Sequence, residues 1–251
     1  MLFFFREQPP ADHITSISKD GNIIFNVQSD KEPGIGFPEI YFLSDSIMFN
    51  PEFAGDYILT SASGLKYEIN AAKSLNYLVD DFTGKVSFFN RTYMDQPYEL
   101  DISKLIPWNN FSNPDIRYFS GTAKYDLNFD LPADIENSVD SIIMTPGNLR
   151  ETAEIILNDS LLGTAWCPDY FFNVKGIVKA GRNNLKISVS NVYRNRFIGD
   201  MIQYGRLENL WTTSPIDQLL RKDMPLKESG VLGPVKFYEI SPVALKSHDR
   251  L

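Results

Sequence analysis

The chain has 251 residues, 43% of them apolar and 13% aromatic, enough for one large all-β domain or a pair of domains with a sizeable core. Its formal charge of −8 comes without a basic stripe, which argues against a nucleic-acid partner and against an anionic membrane surface. The one cysteine, Cys167, has no partner for an internal disulfide, and its plainest role is that of a small buried filler beside Trp166.

Taken in chain order, the first stretch is the apolar run Met1-Leu-Phe-Phe-Phe5, ended by Arg6 and Glu7. No basic segment precedes it and no small-residue cleavage site follows, so it reads neither as a signal peptide nor as a membrane span. It reads as a buried strand whose beginning lies upstream, and the chain is therefore expected to be a truncated one. Ile14 to Val27 carries Asp20-Gly21-Asn22 between two short apolar runs, the pattern of a hairpin, and residues 29–36 are polar and rich in glycine and proline, hence a loop. Ile40 to Met48 and Asp56 to Thr60 are further strands, and Leu65, Tyr67 and Ile69 alternate as the next. Residues 1–76 thus read as a small, truncated β-strand region.

From residue 77 to 241 a second, larger β-sandwich is expected, with 242–251 as a polar tail. Leu78 to Phe89 reads as one strand with Thr83-Gly84 at a bulge or a close backbone approach. Tyr98 to Trp108 reads as a short helical turn, with Asp101 as cap and Ile102, Leu105 and Ile106 on one face. Tyr118 to Phe129 is a central strand and Asp140 to Met144 the next. Ala153 to Leu157, Asn158-Asp159-Ser160 and Leu161-Leu162-Gly163 form a hairpin, and Asn173 to Val178 leads through a turn at 179–184 into a second one. On its outgoing arm Leu185, Ile187 and Val189 alternate with Lys186, Ser188 and Ser190, which gives an antiparallel sheet with one wet side and requires a second sheet to cover the other. NRFIGD at 195–200 is a loop, helical signals return only at Pro215 to Leu220, and Val235 to Ile240 closes the sheet.

Three strings in the central stretch, LNDSLLGTAW, CPDYFFNV and KAGRNNLKISVSN, resemble the sugar-binding β-sandwich attached to glycoside hydrolases, except that Asp159 stands where that family usually has glycine. IRYFSGTAKY at 116–125, NRFIGD, and SGVLGPVKF at 229–237 narrow the resemblance to the C-terminal region of family 106 glycoside hydrolases, the α-L-rhamnosidases. It covers residues 78–240 well and the first 75 weakly. It implies an all-β, galactose-binding-like jelly-roll sandwich, a catalytic barrel as partner domain, a rhamnose-containing plant polysaccharide as the glycan, and a parent enzyme that is bacterial and periplasmic or secreted. In that family an aromatic strand ending in Phe-Arg follows the barrel, which is how Met1 to Arg6 reads here.

Glycoside hydrolysis needs two opposed carboxyl groups, one protonated and one ionised. The 32 acids are too many to single out a pair, and a (β/α)₈ barrel of roughly 250 residues, where the family keeps its acid and base, leaves no trace of its alternating periodicity. No catalytic residue is assigned. His13 and His248 lie near opposite ends in no metal spacing, so no metal ligand is assigned either. Calcium stays open, because loop carboxylates suffice for it and Asp126, Asn128, Asp130 and Asp134 lie close in sequence, without the EF-hand spacing.

Sugar recognition pairs an aromatic face with planar polar groups. The candidates are Trp108 and Asn109 on one loop, Trp166, Asp169 and Tyr170 on a second, Arg194 and Arg196 on a third, and Trp211 on a fourth. Structural alternatives stand beside them: Trp166 packing across its hairpin, and Arg196 pairing with Asp200 to fix a loop. Two functions follow, a non-catalytic ancillary sandwich of an α-L-rhamnosidase-like hydrolase, or a free-standing carbohydrate-binding protein without a catalytic partner.

Overall fold

A computed structural model describes residues 14–26, 39–42, 47–50, 54–71, 76–90, 94–137, 141–166, 170–208 and 221–243. The expected first strand at Met1 to Phe5, the helix at Pro215 to Leu220 and most of the tail lie outside these residues. Among the described residues eighteen strands run in the order β1 (Ile14–Lys19), β2 (Asn22–Asn26), β3 (Glu39–Phe42), β4 (Ile47–Asn50), β5 (Gly55–Ser61), β6 (Lys66–Ala71), β7 (Asn76–Val79), β8 (Thr83–Phe89), β9 (Tyr98–Ile102), β10 (Thr122–Leu131), β11 (Ser141–Thr145), β12 (Asn148–Arg150), β13 (Thr152–Leu157), β14 (Ser160–Ala165), β15 (Phe172–Asn173), β16 (Gly181–Ser190), β17 (Gly230–Gly233) and β18 (Val235–Val243). Helix α1 (Pro114–Arg117) precedes β10 and helix α2 (Arg194–Gln203) follows β16. The molecule is an all-β sandwich, as expected.

One six-stranded sheet has the order β14-β13-β16-β10-β8-β9; opposite it β15-β11-β18-β4-β3 form another, with β7 also on β18. Every named pairing between strands is antiparallel. Alternation along β10 and β16 sends Ala123, Tyr125, Leu127, Phe129, Leu185, Ile187 and Val189 inward, where they meet Ile142, Met144, Val235 and Phe237 of the second sheet in one apolar cluster. The rings of Phe129 and Phe237 lie 5.6 Å apart across the two layers. In β11 three successive residues, Ile142, Ile143 and Met144, are buried, so this strand is covered on both faces, and Ile143 stands opposite the buried Tyr238. A separate four-stranded sheet, β2-β1-β5-β6, buries Ile17, Tyr57, Leu59 and Ile69 on one face.

Both tight hairpins fold where their sequences place them. Asp20 and Gly21 turn β1 into β2 with φ of 49° and 80°, and Asn158 and Asp159 turn β13 into β14 with φ of 48° and 61°. Positive φ at both central residues is the turn geometry whose twist matches the flanking strands, and Asn, Asp and Gly tolerate it best.

The second hairpin is a correction. Residues 173–178 do not pair with β16: Phe172 and Asn173 join β11 in the opposite sheet, and Val174 N–H donates to Ile142 O at 2.8 Å. The chain then folds under the β13–β14 turn and is held there by side chains. Asn158 Nδ2 donates to Ile177 O and to Asn183 Oδ1, both at 2.8 Å, while its Oδ1 accepts from Asn184 N–H at 2.9 Å. Asn183 is buried and donates to Lys179 O at 2.8 Å and Gly181 O at 2.9 Å. This network supplies the loop backbone with the partners that a hairpin would have supplied.

Leu78 to Phe89 is likewise two strands in different sheets, β7 beside β18 and β8 beside β10. The close approach at Gly84 is present, since a Cβ there would sit 2.7 Å from the backbone oxygen of Asp126. Tyr98 to Ile102 is strand β9 instead of a capped turn, and a 3-10 helix, Trp108–Asn110, comes six residues later. NRFIGD is the largest departure: it lies inside α2, not in a loop. The buried residues of that helix are Asn195, Ile198, Gly199 and Asp200, so the side it turns inward is largely polar and leaves no apolar stripe to read. β18 extends through Val243, into the stretch read as tail.

Candidate carbohydrate-binding face

The sequence candidates separate once the fold is formed. Trp108 is 1% exposed; its Nε1–H donates to the Tyr125 hydroxyl at 2.5 Å, and its ring meets Phe88 and Phe119 edge-on, each at 5.4 Å. Gly230 lies against the indole so closely that a Cβ there would come within 2.3 Å of Nε1. Burial holds the Tyr125 hydroxyl at a pKa of about 12, well above the ordinary value. Trp108 is thus a core residue with no face for a sugar. Asn109 is half-buried beside it, with Nδ2 donating to Asn110 Oδ1 at 3.3 Å and Oδ1 buried without a hydrogen-bond partner among the described residues. Tyr170 packs half-buried against the main core. Asp169 and Trp211 lie outside the described residues.

Arg194 and Arg196 are both engaged by the chain itself. Arg194 donates to Pro225 O at 3.2 Å, and Arg196 Nε lies 2.9 Å from Asp200 Oδ1, one turn along α2. Asp200 is buried, and its other oxygen accepts from Glu208 N–H at 3.0 Å. Asn195, also buried, clasps the backbone of Lys227, donating to its carbonyl at 2.6 Å and accepting from its N–H at 2.8 Å. These contacts pin α2 to the segment that leads into β17.

Trp166 stands apart, 68% exposed immediately after β14, and does not pack across its hairpin. Its position belongs to the outer, wet face of the first sheet. In the pairing of β13 with β14 the last partners are Ala153 and Ala165, both buried, so the next residues outward, Thr152 and Trp166, lie on the other face. Thr152 stands opposite Ser190, Ser190 opposite Thr122, and Thr122 opposite Phe89, which is 40% exposed. The Thr122 and Ser190 hydroxyls are hydrogen-bonded at 2.7 Å. A single uncharged row, Trp166-Thr152-Ser190-Thr122-Phe89, therefore crosses five strands at one end of the sheet.

Elsewhere the same face is charged. A parallel row runs Lys186, Asp126, Lys85, Asp101 in direct register, alternating in sign, and Lys186 Nζ also meets Asp159 Oδ1 at 2.9 Å. The Lys186 hydrogen bond holds the Asp159 carboxyl below the usual carboxylate range. Asp126 Oδ1 accepts from Asn184 Nδ2 at 2.5 Å, and among the described residues no three acidic, histidine or cysteine groups converge on a point where a cation could sit. Phe89, Thr122, Thr152 and Ser190 were not singled out by the sequence reading. Alternation past Phe88 and Ala123 is the signal that could have marked the first two as outward.

No known family profile matches the chain. A protein of Formosa agariphila named "Putative beta-glucuronidase" is 31% identical over 158 residues, 55% of this chain and 14% of that protein. In fold, the rhamnosidase from Novosphingobium sp. PP1Y is similar over 89% of this chain and 24% of its own, with a TM-score of 0.57 and 21% identity. A GH2 beta-galacturonidase from Eisenbergiella tayi matches at a TM-score of 0.40 and 12% identity over 66% of this chain and 24% of its own, too low to carry a comparison of folds. The chain spans a small fraction of each of these proteins. The chain is a β-sandwich similar in sequence to part of a much longer protein named "Putative beta-glucuronidase" and in fold to part of a much longer rhamnosidase.

Proposed function

We propose that the chain is a non-catalytic ancillary sandwich of an α-L-rhamnosidase-like glycoside hydrolase, placed beside a catalytic barrel and in contact with a rhamnose-containing glycan. The observation that carries the reading is the buried acid. Among the described residues the buried carboxylate is Asp200, and it is committed to Arg196 and to Glu208 N–H. A glycosidase needs a protonated carboxyl facing an ionised one, with the acid's pKa raised by its surroundings. Asp20 and Asp159 are exposed, and their carboxyls are held low by Lys19 and Lys186, the opposite of what a general acid needs. The likeness in fold to a rhamnosidase, over a quarter of that chain's length, supports an ancillary place within a larger enzyme.

The purified chain is expected to release no rhamnose from aryl rhamnosides from acid to neutral pH, and to bind the isolated barrel of an α-L-rhamnosidase that lacks its own sandwich region. Turnover that disappears on replacing one Asp or Glu of this chain refutes the non-catalytic assignment. Absence of any association with the barrel favours the free-standing carbohydrate-binding protein.

A further inference from the structure

We propose that the uncharged row Trp166-Thr152-Ser190-Thr122-Phe89 is a platform for a neutral oligosaccharide chain, a proposal that rests on the carbohydrate-binding reading of this region. Its two aromatic side chains sit at opposite ends, four inter-strand spacings apart, or about 19 Å. Aromatic groups so far apart cannot touch one monosaccharide, so the ligand they fit is a chain of several residues lying across the strands. Between them stand three hydroxyl side chains, each both donor and acceptor, and the Thr122–Ser190 hydrogen bond fixes the orientation of two of them. An aromatic face takes the C–H side of a pyranose ring, and the hydroxyls take its ring hydroxyls.

Charge decides the class of glycan. The neighbouring row inward carries Glu99, Lys124 and Glu154, and the row beyond it Lys186, Asp126, Lys85 and Asp101, whereas the aromatic-ended row has none. A neutral chain laid there leaves every sheet charge solvated, while a polyuronate gains no cationic partner in the row for its carboxylates. Val192, two residues beyond Ser190 and 49% exposed, extends the apolar margin at the same end. Leu161 is comparably exposed, at 58%, but it pairs with Ile156 in the charged row near the other end of β14, which makes it a control.

The test is affinity electrophoresis and calorimetry with the full chain, using hexasaccharide fragments of rhamnan, xylan and galactan, the matching monosaccharides, and polygalacturonate. Wild type is expected to bind at least one neutral hexasaccharide, with no measurable binding of its monosaccharide and none of polygalacturonate. Trp166→Ala, and Thr152→Arg beside it in the row, are expected to weaken it roughly tenfold or more. Leu161→Ala is expected to leave it unchanged. Both row positions are exposed, so all variants should melt with wild type. Hexasaccharide binding that survives Trp166→Ala and Thr152→Arg overturns the platform and leaves carbohydrate binding by the chain intact. Preferential binding of polygalacturonate overturns the neutral class, and binding of no probe overturns the platform together with the carbohydrate-binding reading. If Trp166 is shielded from acrylamide quenching once the barrel is bound, the row is a domain interface and the proposal fails.

Discussion

Replacing Arg196 by alanine strands a carboxylate. Asp200 is 1% exposed and Arg196 16%, so the pair lies on the buried side of the line that separates costly ion pairs from negligible ones. Without the guanidinium, the Asp200 carboxylate is left with the Glu208 N–H at 3.0 Å. Breaking a buried pair from one side costs about 3–5 kcal/mol, because the remaining charge has lost both water and partner. For a chain of this size each kcal/mol lowers the melting temperature by about 2–4 °C, so the expected drop is roughly 6–20 °C. The assay is urea and thermal unfolding followed by near-UV circular dichroism. Arg196→Ala/Asp200→Asn, which removes the stranded charge and keeps an acceptor for Glu208 N–H, should recover much of the loss. A single-variant cost below about 1 kcal/mol would mean that water reaches the carboxylate and that the pair behaves as a surface contact.

Tyr125→Phe deprives the Trp108 Nε1–H of its acceptor inside the core and should cost about 1–3 kcal/mol at neutral pH, read from urea midpoints. The same variant tests the alkaline limb. Tyr125 holds its proton more tightly folded than unfolded, so its contribution is fully present below about pH 10 and declines as pH rises through its folded value of about 12. Tyr77, raised by burial and by Asp134, adds to that decline, and Tyr125→Phe should make it shallower without abolishing it. Asn158→Ala removes three hydrogen bonds and leaves at φ 48° a residue that adopts the left-handed region less readily than asparagine; a loss of about 2–3 kcal/mol is expected, with hydrogen exchange of the Asn184 amide accelerated.

The tight turns and the alternating strands were legible because each is a local property. Asn158-Asp159 tolerates positive φ whatever surrounds it, and Leu185, Ile187 and Val189 must share a face in any extended chain. What the alternation does not encode is the sheet to which a strand belongs. Leu78 to Phe89 is continuous in pattern, yet β7 and β8 enter different layers, and residues 173–178 leave the strand they were expected to pair with for β11. Helix α2 escaped for a different reason: beside Ile198, its buried residues are Asn195, with its amide, Asp200, with its carboxylate, and Gly199, whose bare backbone lies against Tyr118, and a single buried apolar side chain makes no apolar period.

Composition, strand periodicity and turn chemistry were therefore sufficient to determine an all-β sandwich with one wet face, since they act between residues a few positions apart. The fate of the tryptophans was decided only by the tertiary structure. Trp108 is enclosed because Tyr125, 17 residues on, and Gly230, on a distant strand, converge on its ring. Trp166 is exposed because it follows the edge strand β14, beyond which the sheet has no further strand among the described residues. The alignment of Trp166 with Phe89 arises from the register of four successive strand pairings, and long-range register is set by how the whole core packs, which no local stretch of sequence contains.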